Sequence, residues 1–371
     1  MSGSAISHVV LYAADLNIEC RTGNRRMSKG SGGTSGPKGL DLERYQFRGI
    51  HPDVFLGTAS DRYAGWIGQV YSEDLYLGRI SSRTNKIGGK SFKEMVLPVD
   101  SLGEYFDHFR VLEVDYTFYQ MLLDKNGNPT RSYHVLRSYR DHLTVDDTLI
   151  LKVPQVVFAR KIRSGSGYAP NETYLNAEDF THRFYLPAKD ILGPHLRGFV
   201  FEQEYQRKEE RTPAPELADA LARFFEAIPG DQRYHMELRT ESYLSQPVFA
   251  VLEQFGIGQV LSHWTWLPPL SAQFAKSGFR FLNSGRQAIV RLMTPLAMRY
   301  EEAYARAFPF NQLVEGMLQP RMIDETAELM KEGIRQNVVM NIIINNRAGG
   351  NAPLIARLIG ERFLSERSDK T

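Results

Sequence analysis

The chain has 371 residues, enough for one large α/β domain or two ordinary ones, with 45 basic and 43 acidic residues and a formal net charge of +2. That balance argues against a dedicated nucleic-acid coat or a polybasic membrane anchor, and the single cysteine, Cys20, excludes an intramolecular disulfide and a cysteine-rich zinc site. No apolar run approaches the roughly 20 residues of a membrane helix, and the N-terminus lacks the charged-then-apolar pattern of a signal peptide. The expectation is a cytoplasmic protein without a membrane partner.

Residues 1–49 read as a flexible arm, rich in glycine and serine and dotted with Arg21, Arg25, Arg26, Lys29 and Lys38. Such a composition buries too little apolar surface to offset the entropy of ordering it. From there to residue 366, strand-like and helix-like runs alternate. Strands are expected at VFLGTA from Val54, VLEVDYTF from Val111, LILKVP from Leu149 and GFVFEQE from Gly198. YHMELR from Tyr234, GQVLSHW from Gly258, AIVRLM from Ala288 and VVMNIIINN from Val338 complete the set. Between them, Leu102, Tyr105, Phe106 and Phe109 share one helical face, and so do Leu217, Leu221, Phe224, Phe225 and Ile228. Eight strands alternating with helices predict a single α/β domain of the (β/α)8 TIM-barrel type. Residues 77–100 read as a polar inserted loop.

Familiar motifs fail. TNKIGGKS, from Thr84, lacks the first glycine and the preceding strand of a phosphate-binding loop. The nine histidines show no metal-ligand spacing, so neither a metal nor a cofactor is expected.

In a barrel enzyme the chemistry sits at the C-terminal strand ends. Those ends carry Glu113, Asp115 and Thr117; Lys152; Glu202; Glu237 and Arg239; His263; Arg291; and Asn345 with Asn346. Period two places Glu113 and Asp115 on one face of their strand. Two readings follow. In one the charges only neutralise each other; in the other they surround a pocket. There Lys152, Arg239 and Arg291 hold an anion, while Glu113 or Glu237 acts as general acid or base. Asn345, Asn346, Gly349 and Gly350 lead into a helix whose amide groups suit an anion, or simply make a tight turn. Tyr63, Trp66, Thr117, Tyr119, Glu202 and His263 would form the pocket rim.

These landmarks resemble the YecE-like family, domain of unknown function 72, whose members are (β/α)8 barrels. The resemblance runs through Gly57, Thr58, Tyr63, Trp66 and Gly68, and through Glu113, Thr117, Phe118 and Tyr119. Lys152 with Pro154, Glu237 with Arg239, Arg291 and NNRAGGNA continue it. The chain departs from the pattern where Asp61 replaces tryptophan, Asp115 asparagine, Glu202 glutamine and Thr240 histidine. Phe158 and Ala159 stand for Thr-His, Met293 and Thr294 for His-Gly, and Ser262 with His263 where an aspartate is expected. The resemblance implies a barrel and no established reaction.

The leading expectation is a metal-independent acid–base enzyme for a small or terminal anionic, phosphate-bearing substrate. A nucleic-acid-binding or nuclease-like barrel is the alternative, with Tyr63, Trp66, Tyr119, Trp264 and Trp266 as stacking platforms. The departures also fit a barrel that has lost catalysis and serves as a binding module.

Overall fold

A computed structural model of the chain describes residues 39–164 and 167–365. The arm through residue 38, with its five bases, lies outside the described residues. The strands are, in chain order, β1 Val54–Ala59, β2 Ser81–Ile87, β3 Lys90–Val96, β4 Val111–Val114, β5 Thr148–Lys152, β6 Lys161–Ser164 and β7 Gly167–Pro170. They continue as β8 Leu196–Glu202, β9 Tyr234–Glu237, β10 Gly258–His263, β11 Gln287–Leu292 and β12 Val339–Ile344.

Eight of these close into an all-parallel barrel in the order β1, β4, β5, β8, β9, β10, β11, β12, with β12 paired back onto β1. Each of the eight expected runs supplies one stave. Helices fall between them because apolar residues recur at helical spacing, as in Ala214–Ala227, which buries Leu217, Leu221, Phe224 and Phe225. The fold is therefore a (β/α)8 barrel.

The barrel interior is layered by the two-residue period of its strands. Val111, Ile150, Val200, Val260, Ile289 and Ile343 pack in the middle, with Phe55 at the floor. Arg110 and Arg197 lie over the Phe55 ring at 3.9 and 4.3 Å. His235, at the start of β9, also belongs to the lower layer. Its ring fills the space beside Gly258, where a Cβ would come within 2.3 Å of the imidazole. Two residues further along, the inward face turns charged on five strands, at Glu113, Lys152, Glu202, Glu237 and Arg291, and polar at Ser262 and Asn345.

Three expectations change, and one element is new. Residues 39–49 are not part of a loose arm: Phe47 is buried against Phe109 at 5.0 Å, and Arg48 pairs with Asp147 at 2.8 Å. The insertion is not a loop but a β2–β3 hairpin, turned by Gly88 and Gly89 at φ +56° and +77°. Two successive positive φ values suit the tight hairpin turn that two glycines favour. A second hairpin, β6–β7, follows β5. Finally, β4 stops at Val114, and Asp115 adopts a helical backbone (φ −81°, ψ −31°) ahead of a 3-10 turn at Tyr116–Phe118. Glu113 and Asp115 consequently do not share a strand face.

Candidate active site

At the C-terminal mouth, Glu113, Lys152, Glu202, Glu237 and Arg291 end their strands pointing inward, and Arg239 follows β9. Arg291 is fully buried, and its guanidinium serves three carboxylates. Nη2 donates to Glu113 Oε1 at 2.7 Å, while Nη1 donates to Glu237 Oε2 and, at 3.4 Å, to Glu202 Oε2. Glu202 also takes Lys152 Nζ and Arg239 Nη1, each at 2.6 Å. Arg239 Nε donates to Glu237 Oε2 at 3.0 Å, and Ser262 Oγ donates to Glu237 Oε1 at 2.6 Å. The Lys152 ammonium rests 4.0 Å from the Phe118 ring centre, and the Arg239 guanidinium 5.0 Å from that of Trp264.

Three carboxylates thus meet three cations, the condition under which buried charge is tolerable. The pairing is uneven. Burial alone would raise Glu202, but Arg239, Lys152 and Arg291 together hold it far below the usual carboxylate range. Glu113 moves the other way: burial pushes it up, and Arg291 only partly offsets that. Its Oε2 is buried and has no hydrogen-bond partner among the described residues. Among the described residues no group of three or more His, Cys, Asp or Glu side chains is arranged to hold a metal ion.

Glu113 also lines a cavity of about 410 Å3 beside the mouth. Ser60, Asp61, Arg62 and Tyr63 after β1, Arg83 and Val96 of the hairpin, and Asp115, Tyr116 and Tyr119 after β4 form its walls. The helix Arg131–Arg140 closes it with Arg131, Ser132, Val135 and Tyr139. Ser60 Oγ donates to Asp115 Oδ2 at 3.0 Å, so the charge after β4 faces the loop after β1.

A model of the family described as "Protein of unknown function DUF72" matches residues 55–370. The chain belongs to this family. Solved DUF72 proteins of similar structure include one from Thermotoga maritima, 15% identical, with a TM-score of 0.49 over 84% of this chain and 98% of that one. Another, from Enterococcus faecalis, is 14% identical, with a TM-score of 0.48 over 84% of this chain and 95% of that one. A β-mannanase from the blue mussel Mytilus edulis is 10% identical, with a TM-score of 0.34 over 85% of this chain and 93% of that one. No curated protein matches the chain.

The remaining residues expected at the pocket rim separate into lining and scaffold. Tyr63 and Tyr119 line the cavity. Trp66 does not reach a rim or offer a stacking face: it is wholly buried, packed 5.0 Å from Tyr63, and donates Nε1–H to Asn346 Oδ1 at 3.1 Å. Thr117 is buried too, donating Oγ1–H to the Lys152 carbonyl at 2.8 Å, which ties the turn after β4 to the end of β5. His263 is buried beneath the mouth, with Nδ1 2.8 Å from the Thr294 carbonyl.

The turn into the last helix, Ala352–Ser365, is not an open anion cradle. Asn346 Oδ1 accepts from Ala352 N at 2.8 Å, Asn351 Oδ1 from Leu354 N at 2.9 Å and Asn345 Oδ1 from Arg347 N at 3.0 Å. Gly349 and Gly350 sit under the 312–314 segment. At Gly350 (φ +115°) a Cβ would come within 2.3 Å of the Gln312 carbonyl oxygen. The amide groups expected to greet an anion are capped by their own loop.

Sequence reasoning overlooked Asp61 as a site residue, together with Tyr116, Tyr139, Arg62 and Arg131. Asp61 was visible only as an oddity, and no periodicity marks a helix of the outer layer as a cavity wall.

Proposed function

We propose that the protein is an enzyme doing acid–base chemistry at the barrel mouth, on a small substrate carrying an anionic group, without a resident metal. The observation that carries this reading is Glu113. It is fully buried, clamped through one oxygen by Arg291, raised by burial and unpartnered at the other oxygen, in the wall of a cavity large enough for a metabolite. A carboxyl group so held can give or take a proton at moderate pH. Glu237 is doubly held by Arg291 and Arg239 and suits positioning better than proton transfer. The lone pairs of Glu202 and Glu237 that a metal would seek are directed at guanidinium, ammonium and hydroxyl donors.

Lys152, Arg239 and Arg291 are all engaged by carboxylates, so the anion-holding role passes in this proposal to a cation at the cavity. Arg131 is exposed there and has no ion-pair or hydrogen-bond partner among the described residues.

A turnover and thermal-shift panel of small phosphorylated and carboxylated metabolites tests the reading. Turnover of at least one member is expected, with an acid limb in the pH–rate profile above the ordinary glutamate value of 4.5. Glu113→Gln should lower it by roughly 10²–10⁴-fold while binding persists. Turnover that survives Glu113→Gln removes Glu113 from the role.

Recognition of a nucleic acid is the second reading, favoured by an aromatic shelf at the mouth. Tyr205 and Trp266 are 39% and 42% exposed, and Tyr205 stands 5.9 Å from Trp264 and 5.8 Å from Trp266. A single-stranded oligonucleotide belongs in the same panel, and stabilisation that fades with salt would favour this reading.

A further inference from the structure

The cavity beside Glu113 contains more unsatisfied acceptor capacity than the acid–base reading uses. Asp61, 7% exposed, accepts from Tyr139 Oη at 3.0 Å through Oδ1, while its Oδ2 is buried with no hydrogen-bond partner among the described residues. Tyr116 Oη is buried and likewise unpartnered, with its ring 5.5 Å from that of Tyr139. Glu113 Oε2 completes the set. An orphaned buried polar atom is costly, and three in the wall of one cavity call for a ligand that supplies hydrogen bonds.

The surroundings narrow the chemistry. Two carboxylate oxygens require donors. A cationic donor is disfavoured by Arg62, 3.9 Å from Asp61 Oδ1, and by Arg83 and Arg131, which line the same space. Hydroxyl groups satisfy the acceptors without adding positive charge, and the phenol can either accept from a hydroxyl or donate to one. Tyr63, Tyr116, Tyr119 and Tyr139 supply flat apolar walls against which the C–H face of a sugar ring can lie. The volume of about 410 Å3 falls toward the small end of ligand pockets. It suits one ring, not an oligomer. At the edge, Arg131, exposed and without a partner among the described residues, suits a phosphate or carboxylate.

We propose that this cavity binds a single polyhydroxylated sugar carrying a terminal anionic group, with Asp61 and Glu113 accepting from ring hydroxyls and Arg131 pairing with the anion. The assignment names the substrate class of the proposed enzyme and rests on that reading only for the catalytic part of Glu113.

Binding is measured by calorimetry and thermal shift on the full chain. The probes are glucose 6-phosphate, ribose 5-phosphate and gluconate, with glucose and inorganic phosphate as the separated halves. The intact anionic sugars should bind more tightly than either half. Arg131→Ala, a surface change that leaves the fold intact, should weaken the phosphorylated sugars roughly tenfold or more while sparing glucose. Asp61→Asn, which turns a buried acceptor into an amide donor once Tyr139 is satisfied, should weaken glucose and its phosphate alike by a similar factor, roughly tenfold. The proposal is overturned if no probe of the panel binds, or if bound sugars are indifferent to both substitutions. Turnover of an unrelated compound, lost in Glu113→Gln, with no sugar bound, would overturn this assignment and leave the acid–base reading standing. Sugar binding sensitive to Asp61 and Arg131, without turnover, supports this assignment and counts against that reading.

Discussion

His235 shows how a single buried side chain makes stability depend on pH. It lies in the lower barrel layer, its ring between the Arg233 carbonyl at 3.0 Å and the Gln287 carbonyl at 3.4 Å. Burial pushes its pKa down from 6.5 to about 4. Between those values the unfolded chain binds a proton that the native ring refuses, so stability rises with pH and is lost as pH falls from 6.5 toward 4. The full loss is on the order of 3 kcal/mol. Urea denaturation between pH 6.5 and 5 should show the decline in the native protein and a flatter profile in His235→Asn; identical slopes would refute it. Glu113 acts with the opposite sign, because a raised carboxyl binds its proton more readily folded than unfolded. Comparing the variant with the native protein isolates the histidine. Glu113 was recognisable from its place in a strand, but its unpartnered oxygen was not. That property depends on Arg291, 178 residues later, taking one oxygen and leaving the other.

Secondary elements were legible where periodicity was long and two-sided, and misread where a few residues carried the decision. Seven of the eight barrel strands stood out as runs containing β-branched or aliphatic residues, and YHMELR by its alternation of apolar and polar residues. The end of β4 did not, because Tyr116, Thr117 and Phe118 suit a strand by composition while the backbone turns at Asp115 to support Thr117 under Lys152. The β2–β3 hairpin reads as a loop in the sequence because its strands are short of apolar residues. Ile87 and Phe92 pack it against Tyr304 and Phe308, and one buried carboxylate adds a polar anchor. Glu94 accepts from Arg83 Nε at 2.7 Å and from the Tyr304 hydroxyl, which belongs to the helix Tyr300–Ala307. Tyr304→Phe should therefore free the hairpin locally, at a cost of roughly 1–3 kcal/mol for the buried group left short of a donor. Limited proteolysis should cut near Gly88–Gly89 several times faster than in the native protein, with the barrel fragment surviving. Because Arg83 and Val96 line the cavity, the same variant would show whether the hairpin shapes the candidate site.

The whole molecule is organised as an apolar plug below and a charge network above. Phe55, held between Arg110 and Arg197, forms the floor of the plug. Phe55→Ala should cost roughly 3–5 kcal/mol, as truncation of a buried phenylalanine usually does. Because the charged layer lies two layers away, ligand binding at the mouth should persist in that variant at temperatures where it is folded. A matched loss of stability and binding would show that the layers are coupled. The amino-acid sequence by itself determined the fold class, the eight strands and the identity of most charged residues at the mouth. Strand periodicity and family landmarks are local properties, readable in one dimension. Only the tertiary structure decided which charges neutralise each other, which aromatic residues are buried and which acceptors lack partners. Closing the barrel brings Glu113 and Arg291, 178 positions apart, within 2.7 Å, and partnership at that separation is a property of the closed ring and of no segment of it.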